Sequence, residues 1–370
     1  MRSETSLKIL IAISVFIIFP KTSLASYHFS NFKAHPPIHV YKSSLPSPKG
    51  LTPQKVKEIY HLPQSGGQGT IAIIGAYKDI NIEKDLNVFS STFNLPACTK
   101  NNGCFEEHTL DSNTGPNSGW AMETTLDVEW AHAIAPNAKI LLIEAKTPSG
   151  ANLLKAIDYA SSRKDVVAIS MSWGGAEFAD ETTLDSHFKS VSNASFFASS
   201  GDNGAGASWP ASSPNVISVG GTTINLKNDG TFISETAWSG SGGGVSAFEK
   251  EPDYQKNFNI PKAFGMRAIP DVSFGADPKT GFAIYKSGSS SKNWYVVGGT
   301  SASAPQWAGI QALGLSAKLS NIYRDKSSSG SIAYFRDIKS GSNGDCAYYC
   351  DARTHYDYIT GLGSPLTINF

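Results

Sequence analysis

Short apolar runs alternate with amphipathic stretches between residues 51 and 223, and this alternation constrains the fold more than any other feature. Strands are predicted at TIAIIGAY (70–77), AKILLIEA (138–145), DVVAISMSWGG (165–175), ASFFASSGD (194–202) and VISVGGTT (216–223); helices are predicted at NIEKDLNVFSSTF (81–93), GWAMETTLDVEWAHAIAP (119–136), GANLLKAIDYASSR (150–163) and in the polar stretch before residue 194. Strands of Val, Ile and Ala that alternate with helices predict a parallel sheet covered on both faces. We therefore expect an α/β fold in one large domain, residues 51–370, with Gly/Ser-rich loops after residue 223.

The first 25 residues predict a signal peptide. Arg2 and Lys8 precede the apolar run ILIAISVFIIF (9–19), which is short for a membrane span and typical of a signal-peptide core. The small residues in Ser-Leu-Ala favour cleavage after Ala25, which predicts a secreted or periplasmic protein; the alternative is an uncleaved anchor. Residues 26–50, rich in Pro, Ser and Lys, are expected to be a short extended leader over a surface, without a full-length prosegment.

The four cysteines form two close pairs in the sequence. Cys98 and Cys104 enclose five residues, and Cys346 and Cys350 enclose three. In an exported protein, close pairs predict two local disulfides. The alternative is a four-thiol zinc site, which would require the two distant pairs to converge.

The charge balance excludes some classes of partner. Lysines and arginines equal aspartates and glutamates in number, and charged residues make up 17% of the chain, below a typical share of about 25%. A neutral chain is not expected to bind nucleic acid or an anionic membrane through its net charge. We expect no membrane association after removal of the signal peptide.

The segment GGTSASAP (298–305) raises the question of whether Ser301 is a nucleophile or one more small residue in a turn. A serine hydroxyl needs a neighbouring proton acceptor before it can attack. None of the eight histidines has the His-Gly-Thr-His context of subtilisin-type enzymes, and His132 lies in an apolar helix typical of a packed core. The Ser-His-Asp arrangement is therefore not supported.

Two carboxylates offer another base. Glu123 and Asp127 stand four residues apart on the helix predicted at 119–136, so their side chains share one face. Two close carboxyls in a partly dry site share a proton, and such a pair can act first as a base and then as an acid. The alternative is a solvated acidic face.

Asp202, in SSGDNGAG (199–206), offers a third group. Attack on a carbonyl produces an oxyanion, and a protonated aspartate can donate a hydrogen bond to it. The alternative is an ordinary turn. Asp202, Ser301 and the run 172–174 are all expected at the carboxyl ends of strands, where sites of parallel sheets gather.

In this order, the motifs E-x-x-x-D, G-D-x-G and G-T-S-A-S-A-P resemble the sedolisin family of serine-carboxyl peptidases, distant relatives of subtilisin. Further matching runs are SMSWGG (170–175), WPASSPNVISVGGTT (209–223), GGGVSAF (242–248), PDVSFGADPKTG (270–281) and YDYITGLGSP (356–365). The resemblance implies a subtilisin-like three-layer sandwich with a central, mainly parallel sheet. It implies Ser301 as nucleophile, Glu123 as general base, Asp127 as its partner and Asp202 as oxyanion donor, with Ser172, Trp173 and Gly174 in the substrate cleft. Ser303 is expected to be structural, near the helix cap, and Pro305 to suit the first turn of its helix.

The resemblance also implies one structural calcium ion near the C-terminus. Asp337 and Ile338 match the first part of the family's ligand set and Asp357 the last, while the carbonyl positions fall on Arg353 and His355, where relatives usually have glycine. A carbonyl ligand does not require a particular side chain, so the site can persist.

The resemblance implies a secreted, monomeric endopeptidase that hydrolyses polypeptides at acidic pH through an acyl-enzyme. Two alternatives stay open at this stage. One is a tripeptidyl aminopeptidase of the same family. The other is a catalytically retired, calcium-stabilised binding protein.

Overall fold

A computed structural model describes residues 28–112, 114–288, 293–314, 316–324 and 334–366; the predicted signal peptide lies outside these residues. The helices are α1 Pro53–Ile59, α2 Ile82–Thr92, α3 Ser118–Ile134, α4 Gly150–Ser162, α5 Asp253–Phe258, α6 Thr300–Ala312 and α7 Leu319–Ile322. The strands are β1 His39–Leu45, β2 Thr70–Ala76, β3 Phe105–Thr109, β4 Lys139–Ala145, β5 Val166–Met171, β6 Gly175–Ala176, β7 Ser195–Ser199, β8 Ser208–Trp209, β9 Ile217–Leu226, β10 Phe232–Ala237, β11 Gly244–Lys250, β12 Met266–Ile269, β13 Val272–Gly275, β14 Phe282–Tyr285, β15 Trp294–Gly298, β16 Phe335–Arg336 and β17 Ser364–Pro365. Among the described helices, none combines the length and apolar character needed to cross a bilayer.

The central sheet has the strand order β10-β9-β7-β5-β2-β4-β3, and β13 also pairs with β9. All pairings are parallel except that of β10 with β9. The predicted mainly parallel sheet is therefore confirmed. Its central strands are apolar on both faces because helices cover both.

Strand β2 illustrates the three layers. Ile71 and Ile73 belong to the core cluster that contains residues of α3 and α6, while Ala72 and Ile74 belong to the cluster that contains residues of α4. All four side chains are fully buried. Because successive side chains of a strand point to opposite faces, one continuous apolar run can serve two cores.

The chain after residue 223 differs from the expectation of loops. Strands β10–β15 lie in this region, and each has between four and seven residues. Glycine and serine interrupt these short runs, so no sustained alternation marks them in the sequence. The polar stretch before residue 194 forms a 3₁₀ helix at Glu181–His187 rather than an α-helix.

The described part of the leader, residues 28–50, forms part of a sheet and does not only cover the surface as expected. Strand β1 pairs with β15 in an antiparallel three-stranded sheet that also contains β14. Phe32 and Ala34 are 1% exposed, whereas Asn31, Lys33 and His35 between and beside them are exposed. This alternation is typical of a strand with one buried face, although it extends over too few residues to be recognised from the sequence.

Candidate active site

Ser301 is the second residue of α6 and is fully buried. Gly299 precedes the helix with φ +118°, and a Cβ added there would lie 2.4 Å from Asp202 Oδ2. Only glycine combines that backbone conformation with that close approach. Because Ser301 is in the first turn of α6, it lies at the positive end of the helix dipole, which favours negative charge that develops beside it.

Pro305 lies inside α6, as its sixth residue, and not in the first turn as we expected. Proline has no N–H, so the carbonyl oxygen of Ser301, four residues earlier, lacks its usual helical hydrogen bond. Ser172 Oγ supplies the missing donor at 3.1 Å. This replacement explains why a proline is tolerated so deep in the helix. Ser303 is the fourth residue of α6 and contacts the Gly275 carbonyl at 3.4 Å, so it packs and does not cap the helix.

Glu123 and Asp127 lie one turn apart on α3, and each is 2% exposed. The solvated acidic face is therefore excluded. Burial, and then the charge of Asp127, raise the pKa of Glu123 well above its ordinary value, while the nearby Ser301 hydroxyl lowers it. Burial also raises the pKa of Asp127 well above its ordinary value, against a hydrogen bond from Ser172. Such a pair holds a proton at pH values where an exposed carboxyl would be ionised.

Neither carboxyl oxygen of Glu123 has a direct hydrogen-bond partner among the described residues. Asp127 differs, since its Oδ1 lies 2.6 Å from Ser172 Oγ. An unpartnered buried carboxyl is costly, and it is the group of the pair that is left able to exchange a proton. The pair thus contains one carboxyl without a direct partner, Glu123, and one that Ser172 positions, Asp127.

Asp202 follows strand β7 and connects to the start of α6. Its Oδ1 accepts hydrogen bonds from Thr300 N at 2.8 Å and from Thr300 Oγ1 at 2.7 Å, which places it where a capping side chain would be. Its Oδ2 lies 3.1 Å from His39 Nε2, and the side chain is 5% exposed. Burial raises the pKa of Asp202, while the hydrogen bonds from His39 and Thr300 lower it.

The run Ser172–Gly174 leaves β5 beside these groups. The Ser172 side chain contacts the acid pair, a role that the sequence did not reveal because nothing in the motif orients that hydroxyl. Trp173 is fully buried and donates from Nε1 to Ile74 O at 3.0 Å. Gly174 exchanges two backbone hydrogen bonds with His35 of the leader, at 3.0 and 3.2 Å. The backbone of Gly174 therefore pairs with an extended chain. That chain lies in a groove lined by residues 174–176 and 200–208, which we call the cleft.

The residues expected to hold calcium lie around one loop. His355 N donates to both oxygens of Asp337, and Arg353 N donates to Asp357 Oδ2. Among the described residues, the carbonyl oxygens of Ile338, Arg353 and His355 accept no hydrogen bond. Two carboxylates and three unengaged carbonyls are the oxygen donors that Ca²⁺ takes, so the residues fit the ion. His355 has φ +69°, a conformation that glycine adopts more easily.

The four cysteines form two disulfides, Cys98–Cys104 and Cys346–Cys350, as predicted. No described cysteine is free, which excludes the four-thiol zinc site. His132 is fully buried beside the first disulfide, with Nε2 2.9 Å from Pro96 O, and burial lowers its pKa to about 4. His132 is therefore a buried core residue, as expected from the sequence.

Comparisons with known proteins agree with this geometry. Residues 112–328 match the subtilase family. The chain is similar to sedolisin of Pseudomonas sp. (strain 101), with 28% identity over 90% of this chain and 63% of that protein, and to kumamolisin of Bacillus sp. (strain MN-32), with 30% identity over 88% and 64%. Tripeptidyl-peptidase 1 of Dictyostelium discoideum is 28% identical over 85% of this chain and 57% of its own.

A solved structure is also similar. Pseudomonas sedolisin, a serine-carboxyl proteinase complexed with two molecules of pseudo-iodotyrostatin, superposes with a TM-score of 0.71 and 28% identity, over 86% of this chain and 96% of that chain. The likeness covers most of the chain and shows the subtilisin-like fold. The chain spans about three fifths of the length of the curated relatives it matches.

Proposed function

The chain belongs to the subtilase family, in its sedolisin branch, and on that premise we propose that it is a serine peptidase that hydrolyses polypeptides at acidic pH. One observation carries the proposal. A buried carboxyl pair, Glu123 and Asp127, lies close enough to the buried Ser301 for its hydroxyl to lower the pKa of Glu123, and Asp202 accepts hydrogen bonds from Thr300 at the start of the same helix.

In the proposed mechanism, ionised Glu123 removes the proton from Ser301 Oγ as that oxygen attacks the carbonyl carbon of the scissile peptide bond. Glu123 then passes the proton to the leaving amine, and the C–N bond breaks to leave an acyl-enzyme. A water molecule repeats the sequence and releases the acid. Asp127 keeps the pair at a single negative charge, because two adjacent buried carboxylates cannot both ionise easily.

Asp202 is proposed to stabilise the oxyanion. Its carboxyl must be protonated to donate a hydrogen bond, and its burial favours the protonated form at acidic pH. The dipole of α6 acts in the same direction at Ser301. The proposed reaction needs Glu123 ionised and Asp202 protonated at once, so deprotonation of Asp202 would set the upper limit of the active pH range.

We propose endopeptidase activity over the tripeptidyl alternative. The chain's own residues 32–39 pass along the cleft and the backbone continues into β1 without an end, which favours a groove open on both sides of Ser301. The intact set of four site residues argues against a retired binding protein.

Calcium is proposed to bind Asp337, Asp357 and the carbonyls of their loop, where it would tie the C-terminal segments together. Export as a monomer remains a proposal from the sequence.

The test is digestion of an unfolded protein from about pH 3 to about pH 8 by the wild type, Ser301→Ala and Glu123→Gln. We expect an acidic optimum that both substitutions abolish, and resistance to histidine-directed reagents. A neutral optimum would overturn the carboxyl base. Cleavage of a peptide with a blocked N-terminus separates an endopeptidase from a strict tripeptidyl aminopeptidase.

A further inference from the structure

Residues 32–35 lie in the cleft as a peptide paired along both edges. On one edge, Ala34 N donates to Pro148 O at 2.8 Å and Gly150 N donates to Phe32 O at 3.2 Å. On the other edge, His35 and Gly174 exchange both of their backbone hydrogen bonds. Backbone pairing of this kind binds any extended peptide, so affinity and specificity are separable here: the strand contacts give affinity, and side-chain pockets give specificity.

Phe32 fills an aromatic pocket beside that strand. Its ring lies 4.8 Å from the ring of Trp209, edge to face, and 5.7 Å from the ring of Phe178. The floor is Gly175, where an added Cβ would lie 2.7 Å from the Phe32 ring. We call this site, formed by Phe178, Trp209 and Gly175, the Phe32 pocket. A glycine floor and two aromatic walls suit a flat aromatic side chain.

The same segment reaches the start of α6 and then Asp202 five and seven positions after Phe32. The carbonyl oxygen of Pro37 would lie 2.0 Å from a Cβ added to Gly299, two residues before Ser301. Pro37 has no N–H to pair with the cleft, and Ile38 N instead donates to Pro36 O at 3.0 Å, which turns the backbone tightly at this point. His39 then contacts Asp202 Oδ2 with its Nε2 at 3.1 Å.

We propose that the Phe32 pocket is a substrate subsite that selects an aromatic side chain three residues before the residue that pairs with Gly174, the place that Phe32 itself fills in this chain. This inference rests on the proposed function and names its substrate class, polypeptides with an aromatic residue at that position. A peptide that pairs with Gly174 in the register of His35 delivers its side chain three residues earlier into the pocket. The leader must leave before such a substrate binds.

Binding is tested first, on a chain that cannot cleave. The full chain with Ser301→Ala and Phe32→Ala is titrated with a fluorescent peptide of the sequence FSNFKAHPPIHV, residues 29–40, and anisotropy is measured. We expect the peptide with alanine in place of its second phenylalanine, at position 32, to bind at least tenfold more weakly. The peptide with alanine at position 33, an exposed position of the strand, should bind as the parent does.

Two further variants locate the effect in the pocket. Gly175→Ala in the same background should abolish the preference for phenylalanine, because the new methyl group fills the floor. Gly115→Ala, where an added Cβ meets nothing within 4 Å, is the matched control. Phe32→Leu keeps an apolar side chain in the leader and serves if Phe32→Ala does not fold.

Activity is tested second, with Ser301 intact. Phe32→Ala should raise kcat/KM on a peptide substrate at least severalfold over the wild type, and Lys33→Ala should not. A purely structural Phe32 would give the opposite sign, because a core cavity lowers stability and activity together. The inference is overturned if the peptides with phenylalanine and with alanine at position 32 bind equally. It is also overturned if Gly175→Ala keeps the preference for phenylalanine. Absence of hydrolysis in every variant would overturn the proposed function and leave the binding result to stand alone.

Discussion

The Ser172 hydroxyl lies 2.6 Å from Asp127 Oδ1 and bridges the acid pair on α3 to helix α6. Its oxygen is also 3.1 Å from the carbonyl oxygen of Ser301, which Pro305 leaves without a helical partner. One hydroxyl carries one proton, so Ser172 donates either to ionised Asp127, which lowers the pKa of that carboxyl, or to Ser301 O. The proline in α6 thus makes possible a connection between α3 and α6.

Ser172→Ala should lower kcat about tenfold and shift the acidic limb of the pH profile upward. The hydroxyl lowers the pKa of Asp127, so its loss raises that pKa and makes the single negative charge of the pair harder to keep. Steady-state kinetics across the acidic range measure both effects. Ser170→Ala is the matched control, because Ser170 is also buried on β5 and its hydroxyl has no partner among the described residues. Equal effects of the two substitutions would contradict the bridging role.

Glu123→Gln should lower kcat/KM by about 10⁴-fold or more without lowering thermal stability near neutral pH. An amide cannot take the proton of Ser301, but it has no charge to desolvate in the buried site where both carboxyl oxygens lack partners. Peptide hydrolysis and thermal unfolding are measured together. Glu129→Gln, a buried acid on the same helix, should retain activity. Comparable loss in Glu129→Gln would mean that any buried charge on α3 matters.

Asp202→Asn should move the alkaline limb of activity to higher pH. Burial raises the pKa of Asp202, so its protonated form persists in acid, and the oxyanion loses its donor as the pH rises through that pKa. An asparagine N–H donates at every pH. We expect lower activity than in the wild type at about pH 4. The ratio of the activity at about pH 7 to the activity at about pH 4 should be roughly tenfold higher than in the wild type. Asp180→Asn, on the surface, is the control. An unmoved limb would assign the alkaline limb to another group.

The sequence predicts the parts of this molecule whose signals are local. The spacing of Glu123 and Asp127 requires only a helix, and the central strands are continuous apolar runs, so both follow from periodicity. The contact of His39 with Asp202 does not, because it joins residues 163 positions apart, and no local pattern encodes that distance. The expectation for Pro305 was wrong for a related reason. Proline is tolerated inside α6 because of Ser172, which lies far away in the sequence, directly after strand β5.

Chelation should lower the unfolding temperature by about 5 °C if calcium occupies the loop around Asp337 and Asp357. The ion would offset two neighbouring carboxylates and engage carbonyl oxygens that accept no hydrogen bond among the described residues. Calorimetry with and without a chelator measures the shift. In Asp337→Asn the shift should disappear, while in Asp351→Asn, an exposed neighbour paired with Arg353, it should persist. A shift unchanged in Asp337→Asn would place the ion elsewhere.

The protein should be more stable in acid than at neutral pH, because of a buried acidic cluster outside the active site. Burial, and then the charges of Asp185 and Glu177, raise the pKa of Glu249 to about 8. Burial, and then the charge of Glu177, raise the pKa of Glu181 to about 9. In the unfolded chain these groups titrate near pH 4.

The sign follows from these values. The stability that the protonated forms contribute is complete below about pH 4, decreases as the pH rises, and is lost once the pH passes about 8 for Glu249. Glu249→Gln should therefore flatten the fall in unfolding free energy between about pH 4 and about pH 8 by a few kcal/mol, which denaturant titrations at several pH values measure. Glu251→Gln, two residues along and partly exposed, should leave the slope as it is. A wild-type protein that gains stability over that interval would contradict the assignment, since its buried acids would then be stabilised in their charged forms.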